Sequence, residues 1–313
     1  MVGAMLRRVP HPFVILAALT LASVTLAACA EAPRPAPAAE PPVAAIAPPP
    51  RSLALDPFYA KSVDAGGIPV TASARVPDAA ILAAQGIVDG MLEKRPDIRR
   101  QMIAMGERVG VLAADEMITD LPEERDLKKP ALDDQRLTFC ERQAYLKIAA
   151  MSDRDYWNTR ARGLGGLYTI GATENLLGYP GATYYGENIL VHEFSHAMLT
   201  AIEQADPKLY ADVEAAYAHA RQAGLWKGSY SINTLQEYWA EGVQFWFDSN
   251  MAYRRAPSLT ILNDADLKAY DPRLWAVLAR VYTPSHHIAA DVFWMSPARM
   301  NSQIIPEDGH EVC

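Results

Sequence analysis

The run Val191-His192-Glu193-Phe194-Ser195-His196-Ala197-Met198 holds the residues best suited to chemistry. Two histidines stand four apart, and a glutamate follows the first. The neighbouring residues read as helix, where positions i and i+4 project from one face, a turn apart. Two imidazoles so placed can bind one metal ion, with Glu193 in reach of a metal-bound water. A buried helix with two satisfied histidines would show the same spacing, so a second group of residues has to decide.

That group is Glu237-Tyr238-Trp239-Ala240-Glu241. Thr234-Leu235-Gln236-Glu237 fits a capping box, which gives Glu237 a purely local occupation. Glu241, one turn on, would by itself be a solvated residue. But the helix is crowded with Trp239, Val243, Phe245, Trp246 and Phe247, so much of its circumference is buried. Carboxylates on such a helix are costly unless paired or metal-bound. A catalytic zinc takes three protein ligands and keeps an open position for water. His192 and His196 supply two, and Glu237 would be the third. Glu241 would accept the other N–H of a ligand imidazole and so orient it. Zinc lowers the pKa of bound water from 15.7 to about 7. Glu193 would take the water's proton and later pass it to the leaving amine.

HEFSH followed by a later EYWAE resembles the gluzincin pattern of zinc metallopeptidases. Alanine before the second glutamate is similar to the branch that includes the catalytic domain of anthrax lethal factor. The motifs span about residues 184–247; upstream, 53–143 carries none that ties to that toxin. The resemblance implies a zincin-like domain, one Zn2+ per chain, a peptide or protein substrate and peptide-bond hydrolysis. It also implies a role for Tyr230, seven residues before Glu237, as oxyanion stabiliser. A packing tyrosine is the other reading, in a chain with 14 of them. Many gluzincins carry Asp where this chain has Glu241. Two functional alternatives stay open: a zinc hydrolase of another bond, in cell-wall material, and an inactive tethered binding protein.

The elements that must position these residues suggest an α+β fold, a small N-terminal sheet with helices before a mainly helical zinc-binding half. Phe58 to Val63 and Ile68 to Ser73 read as strands around Ala65-Gly66-Gly67. Pro77-Asp78 opens a helix with Ile81, Leu82, Val88 and Met91 at helical spacing. A short helix to Met105 and a strand over Arg108 to Ala113 follow. Residues 115–140 read as charged loop, and Glu141 to Ala150 as a short helix. Arg162-Gly163-Leu164-Gly165-Gly166 lacks a following Lys-Ser/Thr, so it reads as a turn rather than a phosphate cradle. Leu167 to Gly171 reads as a strand, and the resemblance to zinc peptidases implies for it a place at a sheet edge where a peptide could add itself. The active helix is expected over Glu187 to Gln204. Asp206-Pro207 starts the next one, to Ala223, and Asp271-Pro272 another. Residues 283–313 read as mostly irregular. His286 and His287 follow Pro284 in a loop and read as structural or solvated, as does His310; His219 reads as an inert surface residue.

The N-terminus reads as a targeting segment, residues 1–28. Arg7 and Arg8 precede an apolar run from Phe13 to Ala28, too short for a comfortable membrane span. Leu26-Ala27-Ala28-Cys29 resembles the bacterial lipobox, which implies lipidation at Cys29; an ordinary signal peptide cut after Ala28 is the alternative. Ala30 after the Cys resembles an outer-membrane address. Residues 29–51 are a Pro/Ala-rich tether that favours extended polyproline II, and 52–313 would form the catalytic domain. The expected place is that of an exported bacterial lipoprotein, on a membrane through its lipid anchor.

Half of the 313 residues are hydrophobic, enough for a substantial core. The net charge of −8 argues against nucleic acid as a partner. Of three cysteines none forms a CxxC pair, which excludes a cysteine zinc cluster. With Cys29 lipidated, Cys140 and Cys313 could pair in an oxidising compartment; two free thiols are the alternative.

Overall fold

The structure is a computed structural model that describes residues 45–309. A hairpin comes first: β1 (Lys61–Ala65) returns as β2 (Ile68–Ala72), with Val63 opposite Val70. Gly66 and Gly67 make the turn at φ 60° and 97°, which side chains with a Cβ resist. β1 starts later than Phe58 because Asp56 claims the preceding amides. Its side chain accepts from Phe58 N–H and its carbonyl from Tyr59 N–H, closing a turn. Ala47 pairs with Ser62 through two backbone hydrogen bonds, so the fold takes in residues before the expected end of the tether at Arg51.

Helices α1 (Asp78–Met91) and α2 (Pro96–Met105) lead to β3 (Arg108–Leu112). After an irregular stretch come α3 (Phe139–Gln143), α4 (Tyr145–Ala150) and α5 (Asp153–Arg160). The single helix expected over 141–150 is therefore two, broken at Ala144. α5 was not expected; Ser152 caps it by accepting Asp155 N–H at 3.0 Å. Next are β4 (Tyr168–Ala172) and α6 (Thr173–Leu176). The sheet order is β1-β2-β3-β4, antiparallel at the hairpin and parallel after it. β4 is thus an edge strand as expected, but Leu164 bonds to Ile170 in both directions and occupies part of that edge.

The second half holds α7 (Ile189–Ala205), α8 (Pro207–Ala223), α9 (Leu235–Trp246), α10 (Asp264–Tyr270) and α11 (Pro272–Val281). It also holds a three-stranded sheet of β5 (Tyr253–Arg255), β6 (Leu259–Ile261) and β7 (Ile304–Ile305), in the order β6-β5-β7. The architecture is α+β, with this small sheet as an addition. Strands of two or three residues leave no period to read. Among the described residues no helix is long and apolar enough to cross a membrane.

The sheet separates two apolar clusters because successive strand residues face opposite sides. Val109 and Val111 join the larger one with α1, α2 and α7, while Leu112, Ile170 and Ala172 join the smaller one with Tyr156 and Trp157. α7 buries Leu190, Val191, Phe194, Ala197, Met198, Ala201 and Ile202 in the larger cluster. Burying each large apolar side chain contributes about 1.5–3 kcal/mol, so α7 is pinned along its length. Its metal-binding candidates occupy the remaining stripe.

Candidate metal centre

α7 begins at Asn188, whose Oδ1 accepts Val191 N–H at 3.2 Å, so His192 falls in the first turns. Asp206 ends it: the residue before a proline avoids the helical region, and its carboxylate caps α8 at Leu209 N–H. α9 crosses α7 and is tied to it by the Trp239 indole, which donates to Ser195 O at 3.0 Å. The His-Glu-x-x-His turn and the Glu237 turn therefore face each other.

His192, Glu193 and His196 each offer an atom within 4.8 Å of the others. Glu237 comes to the same point from α9: its Oε2 lies 3.0 Å from Nε2 of His192 and 3.7 Å from Nε2 of His196. Thr234 caps α9 through Glu237 N–H at 3.1 Å. The reciprocal half of the capping box is missing, because the Glu237 carboxylate turns to the imidazoles and to Tyr230 instead. Tyr230 O–H donates to Glu237 Oε1 at 2.9 Å. All five lie along one cleft of about 700 Å³.

Glu241 does not hold the position expected of it. Nδ1 of His192 lies 3.0 Å from Gln244 Oε1 and 3.7 Å from the Glu241 carboxylate. Gln244 Nε2 donates to Asn188 O at 3.0 Å, which fixes the amide with its oxygen toward the imidazole. Nδ1–H then donates to Gln244, so the proton that a metal would displace is the one Nε2 shares with Glu237. Glu241 is held instead by Asn250 Nδ2 at 2.9 Å. Residues 237, 241 and 244 share one face of α9, so Gln244 at the same period was a candidate that its neutral type concealed.

Electrostatics divide the groups by role. Burial pushes Glu193 up to about 7, and the charges of His192 and Arg160 oppose it, with help from Gly165 N–H. Burial pushes His196 down to about 4, aided by the charge of His192, so its imidazole is neutral. His192 and Glu237 form a tight pair. Burial works against both charges, but their mutual hydrogen bond outweighs it, raising His192 and lowering Glu237. Burial and then Glu237 raise Tyr230, which keeps its proton. Glu187, read in the sequence only as the start of the active helix, is pushed up to about 7 by burial and then by Glu241.

The Gly-rich run makes no phosphate cradle. It lies against α7, where a Cβ on Gly165 would stand 2.8 Å from His196 Cδ2 and one on Gly163 would stand 3.0 Å from Glu193 Cγ. Only glycine admits so close an approach. Arg160 and Tyr184 also line the cleft and were not expected there. The signal for Arg160 was the Ser152-x-x-Asp155 cap of its helix.

His196 bears on whether a metal fits. Its Nδ1 is buried without a partner among the described residues, and its Nε2 stands beyond hydrogen-bond distance from Glu237. A buried neutral imidazole without a hydrogen bond is unfavourable unless something else engages it. Two imidazole nitrogens and one carboxylate oxygen form a donor set that suits a divalent metal such as zinc. The residues fit the ion. His286 belongs elsewhere: its Nδ1 bonds Trp246 O at 2.9 Å, and His287 lies against the Trp294 ring. His219 lies on α8, outside the cluster. Cys140 is disulfide-bonded. Cys29, its proposed lipidation, and Cys313, the expected partner of Cys140, lie outside the described residues, as does His310.

No family model matches the sequence, and no curated protein matches it. Among solved structures, the chain is similar to a Pro-Pro endopeptidase from Paenibacillus alvei. The identity is 13% and the TM-score 0.42, with 68% of this chain and 97% of that chain covered.

Proposed function

We propose that this chain is an exported, lipid-anchored zinc peptidase of the gluzincin type, in the branch that resembles the catalytic domain of anthrax lethal factor. The observation that carries the reading is the meeting of His192, His196 and Glu237 from two helices beside the half-buried Glu193. His192, His196 and Glu237 would hold the ion. When bound there, zinc supplies a Lewis acid and a water of lowered pKa.

The chain's own residues do the rest. Glu193 accepts a proton at its carboxylate and returns it to the leaving amine nitrogen. Gly165 N–H favours the charged form of that carboxylate. Tyr230, protonated beside Glu237, has an O–H to donate to the substrate oxygen as negative charge develops on it. Gln244 keeps His192 in the tautomer that presents Nε2. Glu241 lies behind this group and acts on His192 by charge.

Lipidation at Cys29 would anchor the chain to the outer membrane, with the Pro/Ala-rich segment as spacer and the cleft facing the periplasm or the exterior. The test is cleavage of an unbiased peptide library by the purified protein, with and without a zinc chelator. Chelator-sensitive cleavage is expected. Turnover of purified peptidoglycan without peptide cleavage would move the reading to a cell-wall hydrolase. Cys29→Ser should leave the membrane fraction in detergent partitioning; unchanged partitioning would sink the anchor.

A further inference from the structure

Arg160 is the last residue of α5 and lines the same cleft as His192, Glu193 and Tyr230. It is held from behind. Its Nε donates to Glu141 Oε1 at 2.6 Å, and its carbonyl accepts Tyr184 O–H at 2.7 Å. Glu141 is fixed in turn by Thr138 N–H at 2.9 Å and Tyr156 O–H at 3.2 Å. The guanidinium is therefore immobilised through one of its five donors. Among the described residues neither Nη has a hydrogen-bond partner, although the side chain is only 31% exposed.

Other sheltered arginines of this chain are used more fully. Arg162 engages Glu174 with Nε and Nη2, and two backbone carbonyls besides. Arg299 donates to the carbonyls of Asn250 and Leu262. The cleft also carries Glu187, Glu193, Glu237 and Glu241, a lining that disfavours an anion. The other arginine on it, Arg136, is tied through Nε and Nη2 to Asp134. Two free parallel donors on a rigid guanidinium match the two oxygens of a carboxylate.

We propose that Arg160 is a specificity determinant that binds a carboxylate of the substrate peptide through its two Nη groups. This rests on the peptidase reading above. The carboxylate can come from an Asp or Glu side chain near the scissile bond or from a free C-terminus. In either case the anion is paired in a cleft that otherwise repels it, and the peptide is placed relative to Glu193.

The experiment uses the full-length zinc-loaded Glu193→Gln protein to capture peptides from a random library, offered as free acids and as C-terminal amides. Wild type is given the same library to cleave. Enrichment of Asp or Glu at one fixed position assigns a side-chain carboxylate; enrichment of free acids over amides assigns the terminus. Adding Arg160→Gln should reduce the carboxylate-to-neutral ratio by on the order of 10- to 100-fold, the worth of a charged hydrogen-bond pair. Arg160→Lys should retain part of it, and it carries the test alone if melting curves show that Arg160→Gln does not fold. Capture without carboxylate preference, a preference unchanged by both variants, or no capture overturns the inference. Cleavage by wild type without such a preference leaves the peptidase standing and removes only Arg160's role. Arginine-dependent capture without any cleavage removes the peptidase instead.

Discussion

Nδ1 of His192 points at Oε1 of Gln244, 3.0 Å away, and not at the nearby Glu241. A neutral amide thus orients the first imidazole. It fixes the tautomer without adding a negative charge to a cleft that already holds several.

Gln244→Leu should therefore weaken zinc binding by roughly 10- to 100-fold, the usual loss when an outer partner of a ligand histidine is removed. Glu241→Gln should weaken it less. Competition with a chromogenic chelator ranks the two. The reverse ranking would return the orienting role to Glu241.

Tyr230→Phe should lower kcat and kcat/KM together, with KM little changed, because the lost donor acts in the transition state. A loss of roughly 100- to 1000-fold in kcat is expected for one such donor. Zinc content should hold. A variant within about threefold of wild type in kcat would make Tyr230 a packing residue. Loss of zinc would instead assign its O–H to holding Glu237, the group it bonds here.

Glu107 gives the fold a pH dependence away from the cleft. It is 2% exposed, bonded by Thr169 Oγ1 at 2.8 Å, and its other oxygen has no partner among the described residues. Burial pushes it up to about 8, only partly offset by Thr169. An acid raised on folding favours the native state fully below its unfolded value of 4.5. That contribution is lost as pH rises, since the unfolded chain ionises first, and is gone above about 8. Glu107→Gln should remove the decline, so its melting temperature should gain on wild type between pH 5 and pH 8. A constant difference across that range would contradict the assignment.

The active helix was legible because the residues around His192 read as helix and Asp206-Pro207 marked the start of the next one; the Asn188 cap that sets its first residue was not read. The α+β order was legible for the same kind of reason, since β1 to β4 and the long helices each carry their own period. Glu237 was ambiguous in sequence because one residue fitted both a cap and a ligand, and only the orientation of its carboxylate separates them. Gln244 and Arg160 were missed for different reasons. Gln244 is neutral, so no cost of burial drew notice to it. Arg160 sits on an eight-residue helix inside a charged stretch, where local composition says little and the tertiary fold decides which donors stay free. The β5–β7 sheet was hidden by its length, and its last strand pairs across some fifty residues of chain.

The most direct test of the account is zinc content and peptide-library cleavage measured on the same preparations of wild type and Glu193→Gln. The account predicts about one zinc per chain in both, with cleavage abolished in the variant, because Glu193 moves the proton and does not hold the ion. Full activity in Glu193→Gln, or wild-type protein that cleaves peptides without bound metal, would contradict it.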